Sequence, residues 1–237
     1  MIDIHSHIIP NVDDGASSAL ETFMMLKQAE KAGFTDIFAT PHYMEQSMEQ
    51  EKNNILNQVD EINQAAREQG IKVKVHCGEE IYAMPNLSEV VNDNKIIPLN
   101  NSKYLLIEFA MHEKPKYLEN VIFEICNYGY IPIIAHPERY DYVKKDLSLV
   151  SEWQNMGALI QCNYGSLIGK YGSSAKKIIN KLLKNKQVDF MGSDCHRAGS
   201  VYDEMPEAIK KLNKVIDDNY FELITSINAR KIILTHI

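Results

Sequence analysis

The sequence predicts one α/β domain, residues 1–237, whose parallel strands close into a single barrel. Short apolar runs alternate with longer amphipathic segments along the chain, about seven times over. No Pro/Gly/Ser-rich linker or change of composition divides it. Its 237 residues and 45% hydrophobic content supply one full core. Strands that alternate with helices indicate a parallel sheet, and at this length one closed barrel is favoured over two domains.

The elements follow in order. Ile2–His5 reads as a strand, and Ser18-x-x-Glu21 as a capping box opening a helix to about Ala32, which Gly33 ends. Asp36–Thr40 is a second strand, followed by a polar helix over about Glu49–Gln69, stopped by Gly70. Ile71–Gly78 and Tyr104–Phe109 are further strands. Then come a helix near Tyr117–Tyr128, a strand at Ile131–His136, a helix near Leu147–Asn155 and a strand at Ala158–Cys162. A basic helix covers about Ser174–Lys186, and Val188–Gly192 is the last strand. Helices at Glu204–Lys214 and Ile227–Ile233 close the chain.

Composition narrows the function. Against 25 basic residues stand 32 acidic ones, net −7. That argues against broad nucleic-acid binding, which needs clustered Lys and Arg to neutralise phosphates. The start MIDIHSHIIP lacks the basic and apolar regions of a signal peptide, and no apolar run approaches the ~20 residues of a membrane span. Cys77, Cys126, Cys162 and Cys195 form no CxxC pair and no disulfide-like framework. A cytoplasmic protein, not embedded in a membrane, is the expectation.

The chemistry-bearing residues fall at strand ends. Asp3-Ile4-His5-Ser6-His7 closes the first strand, Thr40-Pro41-His42 the second, Gly78-Glu79-Glu80 the third and Glu108 the fourth. Ala135-His136-Pro137-Glu138-Arg139 ends the fifth, and Ser193-Asp194-Cys195-His196 the last. Barrel active sites are built at these carboxyl ends. In extended chain, residues two apart share a face, so His5 and His7 can converge on one ion, as can Asp194 and His196. A lone HxH can equally line a strand, and Glu108 within its apolar strand can be half of a buried ion pair. Six strand ends together make a metal cluster the better reading. Imidazole and carboxylate donors without thiolates suit Mn²⁺, Fe²⁺ or Zn²⁺, and their number exceeds what one tetrahedral ion needs, so two or three ions are expected. His76, His112 and His236 are expected to have ordinary surface or core roles.

Nucleophilic alternatives lack their motifs. His76-Cys77 opens like the cysteine phosphatase loop HCx5R, but the residue six after Cys77 is Ala83. The equivalent positions after the other cysteines are Pro132, Ile168 and Val201. Neither GxSxG nor GxxxxGK[ST] occurs.

With DIHSH, ATPH, GEEIY, IEF, IIAHPER and SDCH in this order, the chain resembles the polymerase and histidinol phosphatase (PHP) superfamily. MIDIHSHIIPNVDDG, LIEF and IAHPERY look specifically like the bacterial manganese-dependent protein-tyrosine phosphatases of capsule and exopolysaccharide loci. The resemblance spans nearly the whole chain. It implies a distorted, TIM-barrel-like (β/α)7 fold, a trinuclear Mn²⁺ site and dephosphorylation of a tyrosine autokinase. On matching positions, it implies that His5, His7, Glu80 and Asp194 hold the first metal. Glu80, Glu108 and His136 would hold the second, and Asp14, His42 and His196 the third. Arg139 would bind the phosphate. Arg197, after SDCH, departs from the family's pattern; it is either a further phosphate contact or a surface charge and is left unassigned. The alternatives are a phosphatase of histidinol phosphate or another small ester, and a PHP module that binds without turnover. A nuclease-like domain is disfavoured by the acidic balance.

Overall fold

The computed structural model describes residues 1–235; His236 lies outside them. Its strands are β1 (Ile2–Ser6), β2 (Asp36–Ala39), β3 (His42–Tyr43), β4 (Lys74–Cys77), β5 (Glu80–Tyr82), β6 (Tyr104–Glu108), β7 (Ile131–Ala135), β8 (Leu159–Asn163) and β9 (Phe190–Gly192). They form a three-stranded sheet, β1-β2-β4, and a six-stranded one, β3-β5-β6-β7-β8-β9. All pairings are parallel.

The two sheets are one interrupted ring. β3 continues the line of β2 after Thr40-Pro41, and β5 that of β4 after Gly78-Glu79. Pro41 has no N–H to donate to a ladder, and a side chain on Gly78 would run into Leu99. Counting each interrupted pair as one leaves seven strand positions. The expected barrel is therefore distorted: among the described residues no strand ladder joins β1 to β9, and the seam holds an isolated bridge between Ser6 and Cys195, just beyond β9. The His7 N–H donates to the Cys195 carbonyl at 3.0 Å, and the Asp194 N–H to that of His5 at 2.8 Å. Asp3 reinforces this seam, accepting from the Ser193 N–H and the Tyr202 hydroxyl.

Helices cover the outside with amphipathic faces of ordinary period. Lys52–Glu68 buries Ile55, Val59, Ile62 and Ala66, and Gly172–Lys184 buries Ala175, Ile178, Ile179, Leu182 and Leu183. Ser18 caps Ala19–Lys31 by accepting from the Glu21 N–H. The capping box is only half formed, because the Glu21 carboxylate takes the N–H and hydroxyl of Ser17.

Inside the ring, Ile2, Ile4, Phe38, Leu106, Ile133 and Phe190 pack with Ala229 and Ile232 of the last helix, Asn228–Leu234. That helix plugs the amino ends of the strands and leaves the carboxyl ends as the open face. The β1–β2 register shifts between Asp3 and Ser6. This changes the phase of β1: Ile2 and Ile4 enter the plug, and His5 and His7 aim at the open end.

Candidate metal centre

At the open end, every residue expected to bind metal meets in one cluster. Its floor is a buried tetrad. The Nε2 atoms of His5 and His7 lie 3.2 Å apart. Glu80 Oε2 is 3.2 Å from the first and 3.3 Å from the second, and Asp194 Oδ1 is 3.5 Å from each. A tetrahedral ion with bonds of ~2.0–2.1 Å separates its ligand atoms by about 3.3 Å. His5, His7 and Glu80 lie at separations close to that, and their donor atoms are near enough together to share one ion, with Asp194 beside both histidines.

Two further groups adjoin the tetrad. His136 Nε2 is 3.0 Å from Glu80 Oε1 and 3.8 Å from Glu108 Oε1. His42 Nδ1 also approaches Glu80 Oε2, at 3.1 Å, so either imidazole can complete a set with the two glutamates. Nearer the mouth, Asp14 Oδ1 is 3.5 Å from His42 Nε2 and 3.3 Å from His196 Nε2. Exposure grades outward: the tetrad is sealed, whereas the Asp14 side chain is 67% exposed. An ester entering from solvent therefore meets this last group first.

Surrounding groups fix which nitrogen faces inward. The Nδ1 atoms of His5, His7 and His196 are held by Gln161 Oε1 at 3.0 Å, Asp13 Oδ2 at 2.7 Å and the Asp194 carbonyl at 3.1 Å. Acceptors at Nδ1 hold the proton there and leave Nε2 as the free donor to a metal. Two residues of the cluster have left-handed backbones, His136 (φ 34°) and Asp194 (φ 52°). Such conformations are costly outside glycine and gather at functional sites. Asp194 and His196 converge through this turn, because β9 has already ended at Gly192. Gly15 lies against His7, and a side chain there would collide with it.

The electrostatics are those of donors that demand cations. Burial alone would lower the His5 imidazole, but Glu80 and Asp194 push it up to about 9. His7 is likewise raised well above its usual value, burial being outweighed by Asp13, Asp194 and Glu80. Burial would raise Glu80 and Asp194, yet the histidines hold both below the carboxylate range. Glu108 goes the other way, pushed up by burial and by the charge on Glu80.

Arg139 reaches the same centre. Its Nη1 donates to Asp194 Oδ2 at 2.7 Å, and its guanidinium lies 4.4 Å from the centre of the Tyr171 ring. Neither Glu138 nor Asp141 is its partner. Glu138 accepts from Asn163 and Ser166 instead.

Some strand-end residues stay out of the cluster. Asp3 braces the β1–β9 seam, and Glu79 accepts from the Ile97 N–H. His76 pairs with Asp36, exposed His112 with Asp141. Arg197 donates to the His196 carbonyl. Cys77 is buried, which pushes its thiol up and leaves it unsuited to nucleophilic attack. Sequence reasoning missed Asp13, Gln161, Asn163 and Tyr171. Asp13 stands beside Asp14 in NVDDG, and Gln161 and Asn163 are polar at alternate positions of an apolar strand, which is the signal that could have found them.

Fold and site define a parallel α/β protein with a histidine–carboxylate centre at the strand ends, of the kind that holds divalent cations. The chain belongs to the CpsB/CapC family of capsular polysaccharide synthesis, matched over residues 1–234. It is 33% identical to CapC of Staphylococcus aureus, over 100% of this chain and 92% of the relative. It is 32% identical to the tyrosine-protein phosphatase YwqE of Bacillus subtilis, over 90% and 84% of the two chains. A crystal structure from the pair YwqE of Bacillus subtilis and CpsB of Streptococcus pneumoniae, described as metal-dependent tyrosine phosphatases, superposes with a TM-score of 0.92 at 30% identity, covering 100% of this chain and 96% of that one. A histidinol phosphate phosphatase of Lactococcus lactis shares the fold at TM-score 0.55 and 15% identity, covering 89% and 93% of the two chains.

Proposed function

We propose that this protein is a metal-dependent protein-tyrosine phosphatase, that Mn²⁺ is its working ion, and that its substrate is a bacterial tyrosine autokinase governing capsular or exopolysaccharide assembly. The observation that carries the reading is the buried tetrad His5, His7, Glu80 and Asp194, set for a cation, in a chain that matches metal-dependent tyrosine phosphatases from end to end.

In this reading the tetrad holds one ion, Glu80, Glu108 and His136 a second, and Asp14, His42 and His196 a third. Ions there would supply a nucleophile by acidifying water towards neutrality and would offset phosphoryl charge. The chain's own residues do the rest. Gln161, Asp13 and the Asp194 carbonyl keep three imidazoles in the ligating tautomer. Arg139 spends one N–H on Asp194, and guanidinium carries five. The others are available to phosphoryl oxygens, which its planar fork can engage two at a time. A tyrosine leaving group has a pKa of ~10, so it needs less proton assistance than an alkyl alcohol.

The test is turnover by Mn²⁺-loaded protein on a phosphotyrosine peptide, compared with histidinol phosphate and a phosphoserine peptide. Preference for phosphotyrosine is expected. A preference for histidinol phosphate would move the protein to the small-ester phosphatases. No hydrolysis of any of the three would leave a binding module.

A further inference from the structure

Two candidate ligands of one ion, His5 on β1 and Asp194 after β9, are joined by a chain of hydrogen bonds through β8. The His5 Nδ1–H donates to Gln161 Oε1 at 3.0 Å. Gln161 Nε2 donates to Asn163 Oδ1 at 2.7 Å, and Asn163 Nδ2 donates to Asp194 Oδ2 at 2.8 Å. Both amides are fully buried.

The direction of this chain is fixed. With His5 Nε2 facing the cluster, Nδ1 must carry the proton, so Gln161 presents oxygen to it. Its nitrogen then faces Asn163, which must present oxygen in turn and give its own nitrogen to Asp194. The ionised carboxylate can only accept. Turning either amide over sets acceptor against acceptor at one end and donor against donor at the other.

The path has been cleared for it. β8 and β1 are not neighbours; β9 lies between them. Gln161 reaches His5 across Gly192, where a Cβ would sit 2.6 Å from Gln161 Nε2 and 2.8 Å from His5 Cβ. Any side chain at position 192 would close the crossing.

We propose that Gln161 and Asn163 are positioning residues: a two-amide relay that holds His5 in its Nδ1–H tautomer and orients Asp194, so that both present a donor atom to one cation. This rests on the metal-site part of the reading above. Partners that orient a ligand are typically worth ~10–100-fold in metal affinity. Gln161→Met, of similar size, removes the acceptor from His5. Gln161→Glu keeps that acceptor and loses the donor to Asn163.

The test measures Mn²⁺ affinity by calorimetry, the His5 tautomer by ¹⁵N NMR of the metal-free protein at alkaline pH, where the imidazole is neutral, and melting temperature, in wild type, Gln161→Met, Gln161→Glu, Asn163→Leu and the double variant Gln161→Met/Asn163→Leu. Gln161→Met should weaken Mn²⁺ binding ~10–100-fold and shift His5 towards the Nε2–H form. Gln161→Glu should keep the tautomer and recover part of the affinity. The double variant should lose little more than the worse single one, because members of one unit are not additive. Wild-type affinity and tautomer in folded Gln161→Met, whatever its melting temperature, would overturn the relay. If Gln161→Met does not fold, Gln161→Glu and Asn163→Leu decide: wild-type affinity in both overturns it. Turnover of the phosphotyrosine peptide by wild type is scored separately. Its absence together with weakened binding in the variants removes the substrate assignment and leaves the relay standing.

Discussion

Arg139 donates to Oδ2 of Asp194 at 2.7 Å, while Oδ1 of the same carboxylate faces His5 and His7. One aspartate therefore ties the guanidinium proposed to hold phosphate to the donors proposed to hold metal. Burial works against the arginine's charge, and Asp194 more than compensates.

Arg139→Ala should therefore lose more than phosphate contact. Removing one preorganised charged donor typically lowers kcat by ~10²–10³, and Asp194 would keep only Asn163 and Tyr171 on Oδ2, so Mn²⁺ affinity should fall as well. Arg139→Lys should restore metal affinity better than kcat, because an ammonium pairs with Asp194 but cannot grip two phosphoryl oxygens. Metal content and kcat/KM on one phosphotyrosine peptide check both variants. Unchanged kinetics in Arg139→Ala would remove it from the phosphate site.

The cluster was readable in the sequence because strand carboxyl ends are where this architecture concentrates its chemistry. His42, Glu80, His136 and Asp194 each follow a short apolar run, and the HxH spacing of His5 and His7 holds across the irregular register of β1. The supporting residues carry no such mark. Gln161 lies 156 positions from His5, and an amide inside a strand has no diagnostic spacing. β3 and β5 were missed for a different reason: two or three residues are too few for any period to show. The left-handed backbone at His136 and Asp194 is likewise set by the turns that follow β7 and β9, and not by residue preference.

Chelation should abolish turnover, and Mn²⁺ should restore it. Iodoacetamide should leave the rate nearly unchanged, since the Cys77 thiol is buried and pushed up and no arginine follows it at the required spacing. Rates before and after each treatment check this. Full activity in exhaustively chelated protein, or inactivation that maps to Cys77, would contradict the metal mechanism.

Glu80 touches more of the cluster than any single ion could. Its Oε2 approaches His5, His7 and His42, and its Oε1 approaches His136. Glu80→Gln keeps the shape but replaces one oxygen by a donor that no cation accepts. It should lower Mn²⁺ stoichiometry by more than one ion per chain, whereas Glu108→Gln should lower it by about one. Elemental analysis after dialysis distinguishes the two. Equal losses would mean that Glu80 is not shared.

Away from the centre, Asp189 offers a test of burial alone. Burial pushes its carboxyl up, only partly offset by the Ile160 N–H and Gln154. The folded pKa thus lies above the unfolded one of ~3.9, so the native state binds the proton more tightly. Stability from this group is fully present below ~3.9 and is lost as pH rises through the folded value. Asp189→Asn keeps an oxygen for the Ile160 N–H and never ionises. It should gain stability relative to wild type as pH rises above ~3.9, with the gap levelling once Asp189 is fully ionised in the folded protein. Denaturant midpoints at four pH values, in both proteins and without metal, measure the gap. A difference that stays constant or narrows with rising pH would show that Asp189 ionises in the folded protein as easily as in the unfolded chain.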